Sequence, residues 1–90
     1  MLSSETKLLG VGFSNIVNLQ HVIAILSPVS AGVKRLISVA KDGGSLIDVT
    51  SGRKARSVIL FTDKTVMLSA LNAQTLNSRA TGMEEVKVDE

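Results

Sequence analysis

The stretch Val58-Ile59-Leu60-Phe61 constrains this chain more than any other. Side chains alternate across a strand, and here both alternating sets are apolar. Residues 66–71 repeat the pattern, with Val66, Leu68 and Ala70 on one face and Met67, Ser69 and Leu71 on the other. Strands that are apolar on both faces need cover on both sides. Thr62-Asp63-Lys64-Thr65 between them reads as a tight turn. The chain must therefore build two covering layers over a small sheet.

One cover is a helix. Ser27-Pro28 signals its start, with Ser as N-cap and Pro at the first helical position. Val29, Val33, Leu36, Ile37 and Ala40 recur at helical spacing and form one stripe. Lys34, Arg35, Ser38, Lys41 and Asp42 form the solvated side, and Gly43-Gly44 supplies the C-cap. A second helix, from an Asn72 N-cap to about Arg79, is short and has Leu76 as its main apolar anchor. It leaves apolar surface on the second face of the sheet, around Met67 and Leu71, and that surface points to another copy of the chain; the alternative is a tighter monomer whose second helix covers more of that face.

The remaining elements are strands. Residues 7–17 read as a first strand broken or bent near Gly10, Gly12 and Asn15. Gly10-Val11-Gly12 lacks the third glycine of a dinucleotide loop and no helix follows it. Residues 20–26 read as a second strand, 45–51 as a third and 56–61 as a fourth, with 66–71 the fifth. In the third, Ile47 and Val49 lie on one side, Asp48 and Thr50 on the other. The fold class is α+β: a small mixed β-sheet with one long amphipathic helix and a short C-terminal helix.

Ninety residues make one domain. Residues 1–82 hold nine Lys or Arg against four acids, a net of +5. Residues 83–90 carry Glu84, Glu85, Asp89 and Glu90 against Lys87, a net of −3. We therefore expect a basic body over 1–82 and an acidic, disordered tail over 83–90. A basic body suits an anionic partner. The chain has no Cys, which excludes disulfides and thiolate metal sites. Residues 1–10 carry Glu5 and Lys7 and no long apolar stretch, so no signal peptide is expected. No run approaches the ~20 apolar residues of a membrane span. A cytoplasmic protein is the expectation.

The candidate site is Gly52-Arg53-Lys54-Ala55-Arg56, where three of the ten basic residues fall in five positions. Ser51-Gly52 reads as the bend of a hairpin between the third and fourth strands. An exposed tip would hold Arg53, Lys54 and Arg56 clear of the core as a phosphate clamp. The plainer alternative is a solvated turn.

Other chemistries fit poorly. The single His21 has no Cys and no carboxylate partner nearby in sequence. Asp48 and Asp63 sit at an edge and a turn, so no catalytic set assembles. No metal or cofactor site and no small-molecule ligand is expected. Stacking readout of single strands needs aromatic platforms, and the chain has only Phe13 and Phe61. Duplex binding through phosphates remains.

The residues also carry a family resemblance. Gly12-Phe13-Ser14-Asn15-Ile16-Val17, Ser27-Pro28 with Ser30-Ala31 and Lys34-Arg35, Leu46-Ile47-Asp48-Val49-Thr50 running into the basic cluster, and Leu68-Ser69-Ala70 occur in order. Over residues 7–79 the chain resembles the bacterial RemA family of extracellular-matrix regulatory proteins. The resemblance implies a non-enzymatic, DNA-binding transcriptional regulator of biofilm-matrix operons. It further implies a homo-oligomeric ring that acts as an architectural activator on the nucleoid. The family's basic pair falls on Arg53 and Lys54, where Lys keeps the charge and loses the fork of the usual Arg. Another DNA-contacting Arg of the family falls on His21, and histidine is mostly neutral near pH 7. A family Pro associated with ring assembly falls on Gly32. The DNA-binding set is thus Arg53, Lys54 and Arg56, with His21 contributing. Two other functions compete with this one. One is an RNA-binding regulator using the same cluster; the other is a structural or interaction protein docking an acidic partner.

Overall fold

A computed structural model describes residues 7–81. The acidic tail lies outside the described residues. Six strands and two helices follow in the order β1 (Leu8–Gly12), β2 (Asn15–Asn18), β3 (Val22–Leu26), α1 (Ala31–Gly43), β4 (Leu46–Asp48), β5 (Ser57–Phe61), β6 (Val66–Ser69), α2 (Ala73–Thr81). A short 3-10 turn, Leu19–His21, joins β2 to β3. The fold is α+β, as the apolar patterning implies.

The doubly apolar strands lie at the centre. A four-stranded sheet runs β3-β5-β6-β4, antiparallel except for the parallel pair β4–β6. Val58 and Ile59 on β5 are both fully buried, one on each face. On one side α1 packs Val33, Leu36, Ile37 and Ala40 against Leu26, Val58, Leu60, Val66 and Leu68. On the other, Leu9, Val11 and Val17 of β1 and β2 close over Ile59 and Met67, together with Leu76 of α2.

That second layer corrects two expectations. Residues 7–17 are not one bent strand: β1 and β2 form an antiparallel hairpin, with Leu9 opposite Val17. Phe13 and Ser14 make its tip, both left-handed at φ 54° and 67°. The Asn15 side chain donates to the carbonyls of Gly12 and Phe13 and holds the tip. Ser69 Oγ donates to the Val11 carbonyl at 2.7 Å, tying the hairpin to the sheet. The hairpin, with α2, supplies the missing cover. Met67 is therefore core, and Leu71 packs against that core half-buried. The cover stops short at β4. Ile47 shares a face with Met67, Ile59 and Ile25 by register, yet remains 45% exposed.

The helix boundaries follow local chemistry. The N-cap of α1 is Ser30, not Ser27: its hydroxyl accepts from the Val33 N–H at 3.2 Å. Ser27 Oγ accepts from the Val29 N–H at 3.5 Å and so braces the turn that precedes the helix, not the helix itself. Residues 28–30 form the turn that leaves the sheet, and Val29 is exposed rather than part of the stripe. Gly44 ends α1 at φ 80°, its N–H bonded to the carbonyls of Ala40 and Lys41. Asn72 caps α2 by accepting from the Thr75 N–H at 2.7 Å.

Candidate nucleic-acid interface

The basic cluster sits on a loop, not on a hairpin tip. β4 and β5 flank the basic residues in sequence but are separated in the sheet by β6. Residues 49–56 therefore arch over the C-terminal end of β6. Both feet of the arch are pinned there. The Val49 N–H donates to the Leu68 carbonyl at 3.0 Å, and the Arg56 N–H donates to the Ser69 carbonyl at 2.8 Å. β4 pairs in parallel because the chain from α1 returns to the far edge. A two-residue connection to β5 is then impossible.

The first half of the arch is braced from within. The Asp48 carboxylate accepts from both the N–H and the hydroxyl of Thr50, at 2.8 and 2.6 Å. Those bonds, hydroxyl first, hold the Asp48 carboxyl below its ordinary value. Thr50 is itself 2% exposed. The chain then turns tightly through Ser51 (φ 57°) and Gly52 (φ 84°), closed by the Arg53 N–H donating to the Thr50 carbonyl at 3.1 Å. Both central residues are left-handed, the condition of a type I′ turn. Arg53, Lys54 and Arg56 follow, all exposed. None of the three forms an ion pair among the described residues. Their charge is available to an anion.

One neighbour comes from a distant part of the chain. The β1–β2 tip brings Phe13 to the arch, where the Arg53 guanidinium carbon lies 5.8 Å from the ring centroid. The ring is 50% exposed. Such a contact is worth roughly 0.5–1 kcal/mol at an exposed site. Beside the tip, Arg79 of α2 donates to the Gly10 carbonyl at 3.2 Å. Neither residue was assigned to the site from the sequence. The turn formers Gly12, Ser14 and Asn15 around Phe13 were the signal, and they fit a bent strand as well as a hairpin.

His21 is elsewhere. It ends the 3-10 turn and is exposed, its carbonyl accepting from the Thr62 N–H at 2.8 Å. Val22 pairs with Phe61, the last residue of β5, whereas Arg56 precedes the first. The length of β5 separates them, about 14 Å at ~3.4 Å per residue. Within one subunit the structure groups Arg53, Lys54 and Arg56 and does not bring His21 to them. His21 borders a groove of about 560 Å³ that also takes in Val17, Ile47, Phe61, Asp63 and Met67. The Asp63 carboxyl is held below its ordinary value, chiefly by the Thr65 N–H, with a smaller contribution from His21.

Among the described residues no group of three His, Asp or Glu is placed to hold a metal ion. No described helix is long and apolar enough to cross a membrane. The arrangement is that of a small protein presenting cations from a braced loop. Comparison with known proteins agrees with a regulatory class. A family model described as RemA-like, extracellular matrix regulatory protein A-like, matches residues 8–80. Relatives carry the name "Putative regulatory protein": one of Desulforamulus reducens is 45% identical over 86 residues, 96% of each chain. One of Clostridium novyi is 45% identical over 84 residues, 93% of each chain. One of Finegoldia magna is 51% identical over 71 residues, 79% of this chain and 86% of its own. The chain belongs to the RemA-like family.

Proposed function

We propose that the protein regulates transcription by binding duplex DNA through the arch at residues 49–56, as a homo-oligomer. One observation carries the reading: three cations without ion-pair partners among the described residues stand on a loop pinned at both feet to β6 and braced by Asp48 and Thr50. Solvated lysines and arginines of an ordinary turn need no such bracing. A rigid loop loses little freedom when it meets phosphates, so more of each contact appears as affinity. Arg53 and Arg56 supply forked donors, and Lys54 a point charge.

Self-association follows from two features. Three cations alone bind DNA weakly at physiological salt, roughly in the 10⁻⁴ to 10⁻⁶ M range of non-specific contacts. Repeating the arch at fixed spacing in a ring raises affinity without new chemistry. The surface for assembly is the uncovered end of the sheet, where the short edge strand β4 presents Ile47 beside the groove. DNA bent around such a ring would add selectivity at base pairs the protein never touches. Control of biofilm-matrix operons and a place on the nucleoid belong to the same reading, through the family.

The test is competition at stated salt between duplex DNA, RNA and an acidic polypeptide. Preference for long duplex, with a steep salt dependence, is the expected result. Equal or better binding of RNA, or of the polypeptide, would replace this reading with an RNA-binding regulator or with an interaction protein.

A further inference from the structure

The hairpin tip holds a residue that its position disfavours. Phe13 is bulky, yet its φ of 54° lies in the left-handed region that Gly and Asn tolerate best. It is apolar, yet half its surface is in water. Strain of this kind persists only where neighbouring structure enforces it, and an observed outlier is ground for a functional hypothesis. The Asn15 side chain, bonded to the Gly12 and Phe13 carbonyls, does the enforcing. The ring meets the Arg53 guanidinium across the gap between hairpin and arch.

We propose that Phe13 is a positioning residue for the DNA contact: its ring, carried on the β1–β2 tip, holds the Arg53 guanidinium in place for a phosphate. The inference rests on the duplex-binding reading. An arginine side chain in an exposed loop samples many rotamers, and fixing it against phosphate alone carries an entropy penalty. The face of an aromatic ring attracts the guanidinium and leaves its N–H edges free to donate. The two left-handed turns, at 13–14 and 51–52, thus combine into one site. Each supplies what the other lacks, a platform and a cation.

The experiment measures affinity for one defined long duplex at several salt concentrations. It compares the parent with Arg53→Ala, Phe13→Gly, Phe13→Leu, Phe13→Tyr and the double variant Phe13→Gly/Arg53→Ala. Phe13→Gly removes the ring and relieves the left-handed backbone, so the turn folds at least as well. Loss of binding then cannot be assigned to a broken tip, and thermal unfolding checks it. The expected result is a weakening of about twofold to fivefold per engaged contact in Phe13→Gly and Phe13→Leu. Phe13→Tyr, which keeps the ring, should match the parent. The double variant should be no weaker than Arg53→Ala and show the same salt slope. Parental affinity in Phe13→Gly, with Arg53→Ala impaired, would overturn the positioning role alone. Losses that multiply in the double variant would also overturn it, because the ring would then act without Arg53. Parental affinity in Arg53→Ala would overturn the duplex-binding site itself.

Discussion

The two ends of the four-stranded sheet are built from similar parts and present opposite surfaces. At one end, the arch over β6 gathers Arg53, Lys54 and Arg56 with no acid among them except Asp48, whose carboxylate is taken up by Thr50. At the other, the β5–β6 turn sets Asp63 near His21, beside an apolar groove. Both ends use an aspartate to fix a turn, through Thr50 in one and Thr65 in the other. The difference lies in what the braced turn displays. A stretch of unopposed cations suits a polyanion. Mixed charge rimming apolar surface suits a protein, and in this reading a second copy of the chain. A monomer keeps the two ends apart by the length of β5; assembly alone can place them side by side.

The largest effect should come from stripping the cationic end. Arg53→Ala with Lys54→Ala should abolish measurable duplex binding near 150 mM salt and flatten the salt slope by about two units for each arch engaged. Exposed positions contribute little to the core, so stability should fall by no more than about 1 kcal/mol, the lost Phe13 contact included. Retained binding would move the DNA site away from this end.

Next is the apolar end. Ile47 is 45% exposed, so Ile47→Glu can keep its carboxylate in water in the monomer while placing a charge on the proposed contact surface. Sedimentation should show dissociation into folded monomers. Affinity for a long duplex should fall by roughly 10² to 10⁴, the part contributed by avidity, while affinity for a short duplex stays constant. Met67→Glu is the contrasting control: Met67 is buried in the core, so this variant should unfold rather than dissociate. An Ile47→Glu protein that remains assembled would place the interface elsewhere.

These two ends were not equally legible in the sequence. Short-range rules located the stripe of α1, its Gly44 cap and the Asn72 cap, because caps and helical periodicity involve residues within a few positions of one another. The charge of 53–56 was visible for the same reason. The pairing of β4 with β6 was not, since two strand-like runs around a Ser-Gly bend read as a hairpin unless the later partner is known. The β1–β2 turn lacked the Asn-Gly or Asp-Gly pair that marks such hairpins, as Phe13 and Ser14 occupy those left-handed positions. Its misreading removed a covering layer and made Met67 look like interface. Phe13 and Arg53 meet across 40 positions of sequence, beyond any local pattern.

A smaller effect tests the bracing of the arch. Thr50→Val keeps the shape but takes the hydroxyl donor from the exposed Asp48 carboxylate, and should destabilise the protein by about 0.5–1.5 kcal/mol. DNA affinity should fall severalfold as the arch loosens. The same bond predicts an acid dependence. The Asp48 carboxyl lies below its unfolded value, so its contribution to stability is complete above about pH 4. It is lost as pH falls through the lower folded value. Asp48→Asn should lower stability evenly across pH 6–8 and remove that part of the acid transition, seen in unfolding curves between pH 2 and 5.

The smallest effect asks whether assembly joins the two ends. His21→Arg puts a permanent cation at the rim of the groove, close to the Asp63 carboxylate. In an isolated subunit that charge is far from any duplex seated on the arch, and Asp63 partly neutralises it. If the proposed assembly sets the groove rim of one subunit beside the arch of the next, one phosphate comes within reach. Binding of long duplex should then strengthen by about threefold, with the salt slope steeper by about 0.9 for each contact added. The same substitution in the Ile47→Glu background should give no gain, because no neighbouring arch is present. A gain of equal size in both backgrounds would mean that one subunit's DNA already spans both ends of the sheet. Unchanged affinity in the assembled protein would leave His21 outside the DNA contact altogether.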